Sequence, residues 1–144
     1  MNSEFTVAVH SLVLLNHKRR VMRSEDIAEN VCTHPARVRK VLSRLTKAGL
    51  LTSREGHRGG GYAFCGDPEG VTLLDVLDAL SERVVEPGWT SGDTDMECLI
   101  ASGMGEIMEG ICADLNLACR DRLRAVTIAA IDRKIFDGRR AKEA

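Results

Sequence analysis

Arg37, Lys40, Arg44 and Lys47 follow one another at spacings of three, four and three, and no aspartate or glutamate occurs between residues 33 and 54. At that spacing the four share one face of a helix, and their positive charge suits them to neutralising a polyanion such as a nucleic-acid backbone. Val38, Val41, Leu42 and Leu45 form the apolar stripe of the same segment. A solvated helix face usually mixes signs, so this segment is expected to be a polyanion-binding helix over about 35 to 48.

The stretch GHRGGGYAF, residues 56 to 64, is the second candidate. It lacks the lysine and hydroxyl that follow the glycines of a phosphate-binding loop, and no strand-to-helix unit surrounds it. Between the strand-like LLTSRE and GYAFC it reads as a hairpin tip. Arg54, His57 and Arg58 would reach phosphate or a minor groove, with Gly59 and Gly60 allowing close approach.

The five cysteines, Cys32, Cys65, Cys98, Cys112 and Cys119, are odd in number and form no CxxC pair. That argues against a disulfide framework and a zinc ribbon, and for reduced thiols in a cytosol. Cys98 stands near a helix start, where the dipole lowers thiol pKa and raises reactivity, which makes it the candidate sensor, the alternative being a plain packing cysteine. The other four cysteines are expected to pack, and so is His10 within its apolar stripe. His10, His17, His34 and His57 show no spacing that would build a hydrolytic site, so an enzyme is not expected.

Positioning these groups falls to elements legible from period and caps. Phe5, Val9, Leu12 and Val13 predict a helix over about 3 to 17, with Ser3 as N-cap. Ser24 is the expected cap of a short helix over about 25 to 31, with Glu25 and Asp26 in its first turn. Thr33 is the expected cap of the third helix, Pro35 is tolerated in its first turn and Gly49 stops it. After a turn at Asp67 to Gly70, Thr72 caps a helix carrying Leu73, Val76, Leu77 and Leu80 on one face.

Three helices followed by a hairpin is the order of a winged helix-turn-helix, in which the third helix enters a major groove. Beyond a loop at about 86 to 95, Ile100, Met104, Ile107, Ile111, Leu115 and Cys119 recur at three or four, widened by Met108 and Cys112. A helix of roughly 25 residues spans about 38 Å, more than one small winged domain can cover, so its apolar face needs a partner. The expected class is mainly α with a small β-hairpin: a winged domain over 1–82, a loop over 83–96, a dimerisation helix region over 97–136 and a disordered tail over 137–144.

Charge divides the 144 residues in the same sense. Residues 1 to 65 hold eleven Lys and Arg against five acids, a balance of +6, and the remainder holds nine against sixteen, a balance of −7. Only the first part is expected to meet a polyanion. No run is long and apolar enough for a membrane span, and a cytoplasmic protein is expected.

The pieces FTVAVHSLVLL, SEDIAENVCTHPARVRKVLSRLTKAGLLTSREG, GGGYAF, VTLLDVLDAL and ECLIASGMGEI stand in the order and spacing of the Rrf2 family of bacterial winged-helix regulators, which the chain resembles over about residues 3 to 125. The resemblance implies a homodimer joined through the long helix and bound to partly palindromic operator DNA. Met104, Ile107, Met108, Ile111, Cys112, Leu115 and Cys119 would then line the dimer interface. Thr33, His34, Ala36 and Arg37 would reach base edges, with Arg37 on a guanine. Arg39, Lys40, Arg44 and Lys47 would take edges or phosphates, and Ser24 would complete the contact set with the wing.

Cluster-binding members of this family carry three cysteines, and only Cys98 stands at one of those places; Glu86 and Gly92 lie near the other two. The chain therefore looks most like the YwnA-like or CymR-like branch, with no cofactor, although ligation by one cysteine with His10 or an acid stays open. The rival from another class is a winged interaction module that binds no DNA.

Overall fold

The computed structural model describes residues 1–56 and 59–143. Helices α1 (Ser3–Lys18), α2 (Ser24–Val31) and α3 (Pro35–Lys47) close around Leu12, Leu15, Ile27, Val38, Val41, Leu42 and Leu45, all fully buried. α4 (Leu73–Ala79) adds Val76 and Leu77 to that core. The α3 stripe read from the sequence is its buried face.

Three caps fall one residue from their expected places. Asn2, not Ser3, caps α1, its side chain accepting from the Phe5 N–H at 3.1 Å. α2 starts after Arg23 with no side-chain cap, because Ser24 is already helical and turned inward. His34, not Thr33, caps α3. Thr72 caps α4 as expected, in a reciprocal capping box with Asp75.

Strands β1 (Leu51–Arg54) and β2 (Gly61–Phe64) pair antiparallel, Leu51 opposite Phe64 and Arg54 opposite Gly61. Met22 bridges this hairpin to the helices: its N–H donates to the Tyr62 carbonyl at 2.9 Å and its carbonyl accepts the Tyr62 N–H at 2.8 Å. Gly61 makes that approach possible. Its φ is +144°, and a Cβ there would stand 2.3 Å from the Met22 carbonyl oxygen.

α5 (Leu99–Arg124) is the long helix, about 39 Å at 1.5 Å per residue. Among the described residues, Asn116, Arg120 and Glu109 make polar contacts that hold it to the winged unit. Asn116 accepts the N–H groups of Val84 and Val85 at 3.1 and 2.8 Å and donates to the Val85 carbonyl at 2.7 Å. Arg120 pairs with Asp78 at 2.7 Å, and Arg83 with Glu109 at 3.0 Å. Gly105 lets the preceding loop pack closely, since a Cβ there would meet Thr90 at 2.9 Å.

The expected dimerisation region over 97–136 is two different things. After α5 the chain returns: Thr127 bridges Thr72, Ile128 joins the winged core, and α6 (Ile128–Glu143) packs on α1. There Asp132 accepts from Asn16 and meets His17, each at 3.1 Å, while the His17 ring stacks on Phe136. Residues 137 to 143 continue this helix rather than forming a disordered tail, and no proline interrupts it. Among the described residues no helix is long and apolar enough to cross a membrane.

Candidate nucleic-acid interface

With Val38, Val41, Leu42 and Leu45 facing inward, steps of 100° place Ala36, Lys40, Ser43 and Lys47 at the outward pole of α3, and all four are exposed. Arg37 and Arg44 lie on the flank towards α1, Arg39 on the flank towards α2. Ser43 is a surface residue that charge-based reading missed; the wheel of the segment would have found it. Arg23, beside α2, was missed likewise.

Most cations of the stripe have partners. Lys40 Nζ lies 3.3 Å from Glu4 Oε1, and Arg44 Nη1 lies 3.0 Å from Glu4 Oε2. Arg37 donates to the Ser3 hydroxyl. Arg39 donates to the Ser24 hydroxyl at 3.2 Å and stands 3.6 Å from Glu25. Among the described residues Lys47 has no ion pair within 4.0 Å. The acid-free stretch from 33 to 54 is thus not free of counterions, because α1 and α2 bring Glu4 and Glu25 to it from distant sequence.

The Glu25 carboxyl is held below the ordinary range, first by its own backbone N–H at the start of α2, then by the Ser24 hydroxyl and Arg39. Ser24, expected to touch DNA, is buried, its hydroxyl donating to Glu25 and accepting from Arg39. Thr33 is half-buried at the start of the turn. His34 accepts the Ala36 N–H at its Nδ1 at 3.1 Å, a geometry that assigns the ring proton to Nε2 as an outward donor.

On the wing, Arg54 and Gly59 are exposed, but Gly60 is buried: a Cβ there would stand 2.3 Å from the Gly56 carbonyl oxygen. The expectations for His57 and Arg58 lie outside the described residues. A polar cleft of about 410 Å³ separates the wing from the start of α2, lined among others by Arg23, Glu25, Arg54, Glu55 and Tyr62.

On α5, Ile100, Ile107, Met108, Ile111 and Leu115 are 43 to 72% exposed, and Met104 and Cys119 are half-buried. Cys112 differs from its expected place in the interface. It is 6% exposed within its own chain, one turn before Asn116 on the side that packs on the winged unit. Two further residues correct the packing expectations: Cys32 is exposed as the left-handed C-cap of α2, and His10 is exposed, bonded to Asn30 at 2.7 Å.

Cys98 is the exposed N-cap of α5, where the amides of Ala101 and then Ile100 hold its thiol below the ordinary cysteine pKa. The thiols do not fit an iron–sulfur centre: Cys112 stands about 21 Å along α5 from Cys98, and Cys119 about 10 Å beyond it. Among the described residues no three of His, Cys, Asp and Glu are grouped to hold a metal ion.

A profile of the Rrf2 family, described as an iron-dependent transcriptional regulator, matches residues 1–134. The chain is similar to two proteins named HTH-type transcriptional regulators. YwnA of Bacillus subtilis is 39% identical over 83 residues, 58% of this chain and 60% of YwnA; the chain thus spans about three-fifths of that relative. BadM of Rhodopseudomonas palustris is 28% identical over 131 residues, 91% of this chain and 78% of BadM. The crystal structure of a protein named as a transcriptional regulator from Lactobacillus plantarum superposes with a TM-score of 0.79 at 23% identity, covering 100% of both chains, which shows a shared fold.

Proposed function

The chain belongs to the Rrf2 family of transcriptional regulators, and from that membership we propose that it is a cytoplasmic, homodimeric repressor that binds a partly palindromic operator. Regulators of this family are not enzymes. The observation that carries the proposal is the outward pole of α3, where Lys40 and Lys47 flank Ser43, together with an exposed Arg54 on the wing. A pole of this kind enters a major groove while the wing tracks the backbone. The apolar stripe of α5 supports the dimer, whose twofold symmetry would match the operator. The family profile is described as iron-dependent, but Cys112 and Cys119 lie far along α5 from Cys98, and the proposal includes no cofactor.

Fluorescence anisotropy with the region upstream of its own gene and with a random duplex tests the reading. Lys47→Ala lowers the salt slope of log K by about one unit on both duplexes, because a phosphate contact carries no sequence information. Arg37→Ala costs about 1 to 3 kcal/mol on the operator alone, through one base pair. Unchanged affinity of both variants for both duplexes sinks this docking.

Cys98 is proposed as the signal input. Its thiolate attacks one sulfur of a low-molecular-weight disulfide, forming a mixed disulfide and releasing the other half as a thiol. A lowered pKa leaves more thiolate at neutral pH, so its alkylation by iodoacetamide is half-maximal below the pH of an ordinary cysteine. Oxidised glutathione alters operator affinity of the wild type and leaves Cys98→Ser unaffected. Equal responses in the two proteins dismiss Cys98 as the sensor.

A further inference from the structure

Glu4 lies in the first turn of α1, between the capping Asn2 and the buried Phe5. Its place is therefore set by the helix backbone, and the positive end of the helix dipole favours an acid there. Its side chain is 21% exposed, more covered than the Lys40 and Arg44 side chains that it meets. The two carboxylate oxygens divide between those cations at 3.3 and 3.0 Å, and Ser3 takes Arg37 beside them. Three of the four residues of the basic stripe are thus engaged by the start of α1.

A DNA phosphate presents the same chemistry to a lysine and an arginine: two oxygens and a negative charge. When α3 approaches a duplex, Lys40 and Arg44 can leave Glu4, stranding a half-covered carboxylate. They can instead keep it, carrying a like charge towards the phosphates. Each course opposes binding, and neither depends on base sequence.

We propose that Glu4 is an intrachain competitor of the DNA phosphates, which lowers affinity for DNA of any sequence by occupying Lys40 and Arg44. The inference rests on the DNA-binding reading above. Glu4 touches no base; it acts through the two cations.

The experiment measures anisotropy on operator and random duplexes over a salt series for the wild type, Glu4→Gln, Arg44→Gln and the double variant, with a thermal midpoint for each. Glu4→Gln is expected to bind both duplexes about 3- to 10-fold tighter, with a salt slope steeper by about one to two units as the freed cations reach phosphates. Arg44→Gln then costs more affinity in the Glu4→Gln background than in the wild type. Unchanged or weaker binding by folded Glu4→Gln, or equal Arg44 costs in the two backgrounds, overturns the inference. Should Glu4→Gln fail to fold, Lys40→Gln and Lys47→Gln decide within the wild-type background: Lys40→Gln is expected to lose less affinity, and equal losses overturn the idea. A wild type that binds neither duplex instead fails the DNA-binding reading itself.

Discussion

In the proposed homodimer, Ile111→Glu is expected to give a monomer and to lower affinity for a full operator by about a hundredfold or more, since each half-site would then be bound without the effective concentration supplied by the partner. The residue is 46% exposed in the middle of a stripe running from Ile100 to Leu115, about 22 Å along α5. In a twofold dimer one substitution enters the interface twice, and each new carboxylate would be covered by apolar side chains of the partner with no cation to receive it. Sedimentation measures the assembly and anisotropy the affinity, on full and half operators. Leu117→Glu is the control: Leu117 is 64% exposed but about 130° around the helix from the stripe, so that variant stays dimeric. Ile111→Glu persisting as a dimer would place the interface elsewhere.

Gly61→Ala destabilises the fold by about 2 to 4 kcal/mol, combining a backbone conformation that L-residues rarely adopt with a collision against the Met22 carbonyl. Relief requires the Met22–Tyr62 bridge to open, which detaches the wing from the segment between α1 and α2. Thermal unfolding is expected to drop by roughly 10 °C, with operator affinity falling as the wing loses its place. The same substitution at Gly110 has the opposite sign. Gly110 lies within α5, and a Cβ there would meet nothing within 4 Å, so Gly110→Ala gains about 0.5 to 1 kcal/mol of helix propensity. A Gly61→Ala protein as stable as wild type would mean that the bridge contributes little.

Elements governed by local periodicity are legible in the chain itself. Val38, Val41, Leu42 and Leu45 mark the buried face of α3, and the spacing from Ile100 to Leu115 marks both the length of α5 and its exposed stripe. Thr72 is a readable cap because its partner Asp75 is only three residues away. What escapes such reading is set by long-range contacts. A count of charges within residues 33 to 54 could not show that Glu4 and Glu25 fold onto that segment. Cys112 belongs to the same periodic stripe as Ile111, and only the clamp at Asn116 shows that α5 turns that edge inward. The return of α6 is hidden likewise, since the burial of Ile128 depends on Val71 and Thr72, more than fifty residues upstream. Ser24 looks like a cap and a contact by its residue type, but its hydroxyl is taken up by Arg39.

The three hydrogen bonds between Asn116 and the backbone of Val84 and Val85 fasten the exit of the winged unit to the middle of α5. In the proposed dimer this removes the joint at which each reading head could swivel. The pair would then behave as a calliper of set gauge, tolerant of changes in the bases between its tips and intolerant of any insertion that turns one half-site out of phase with the other.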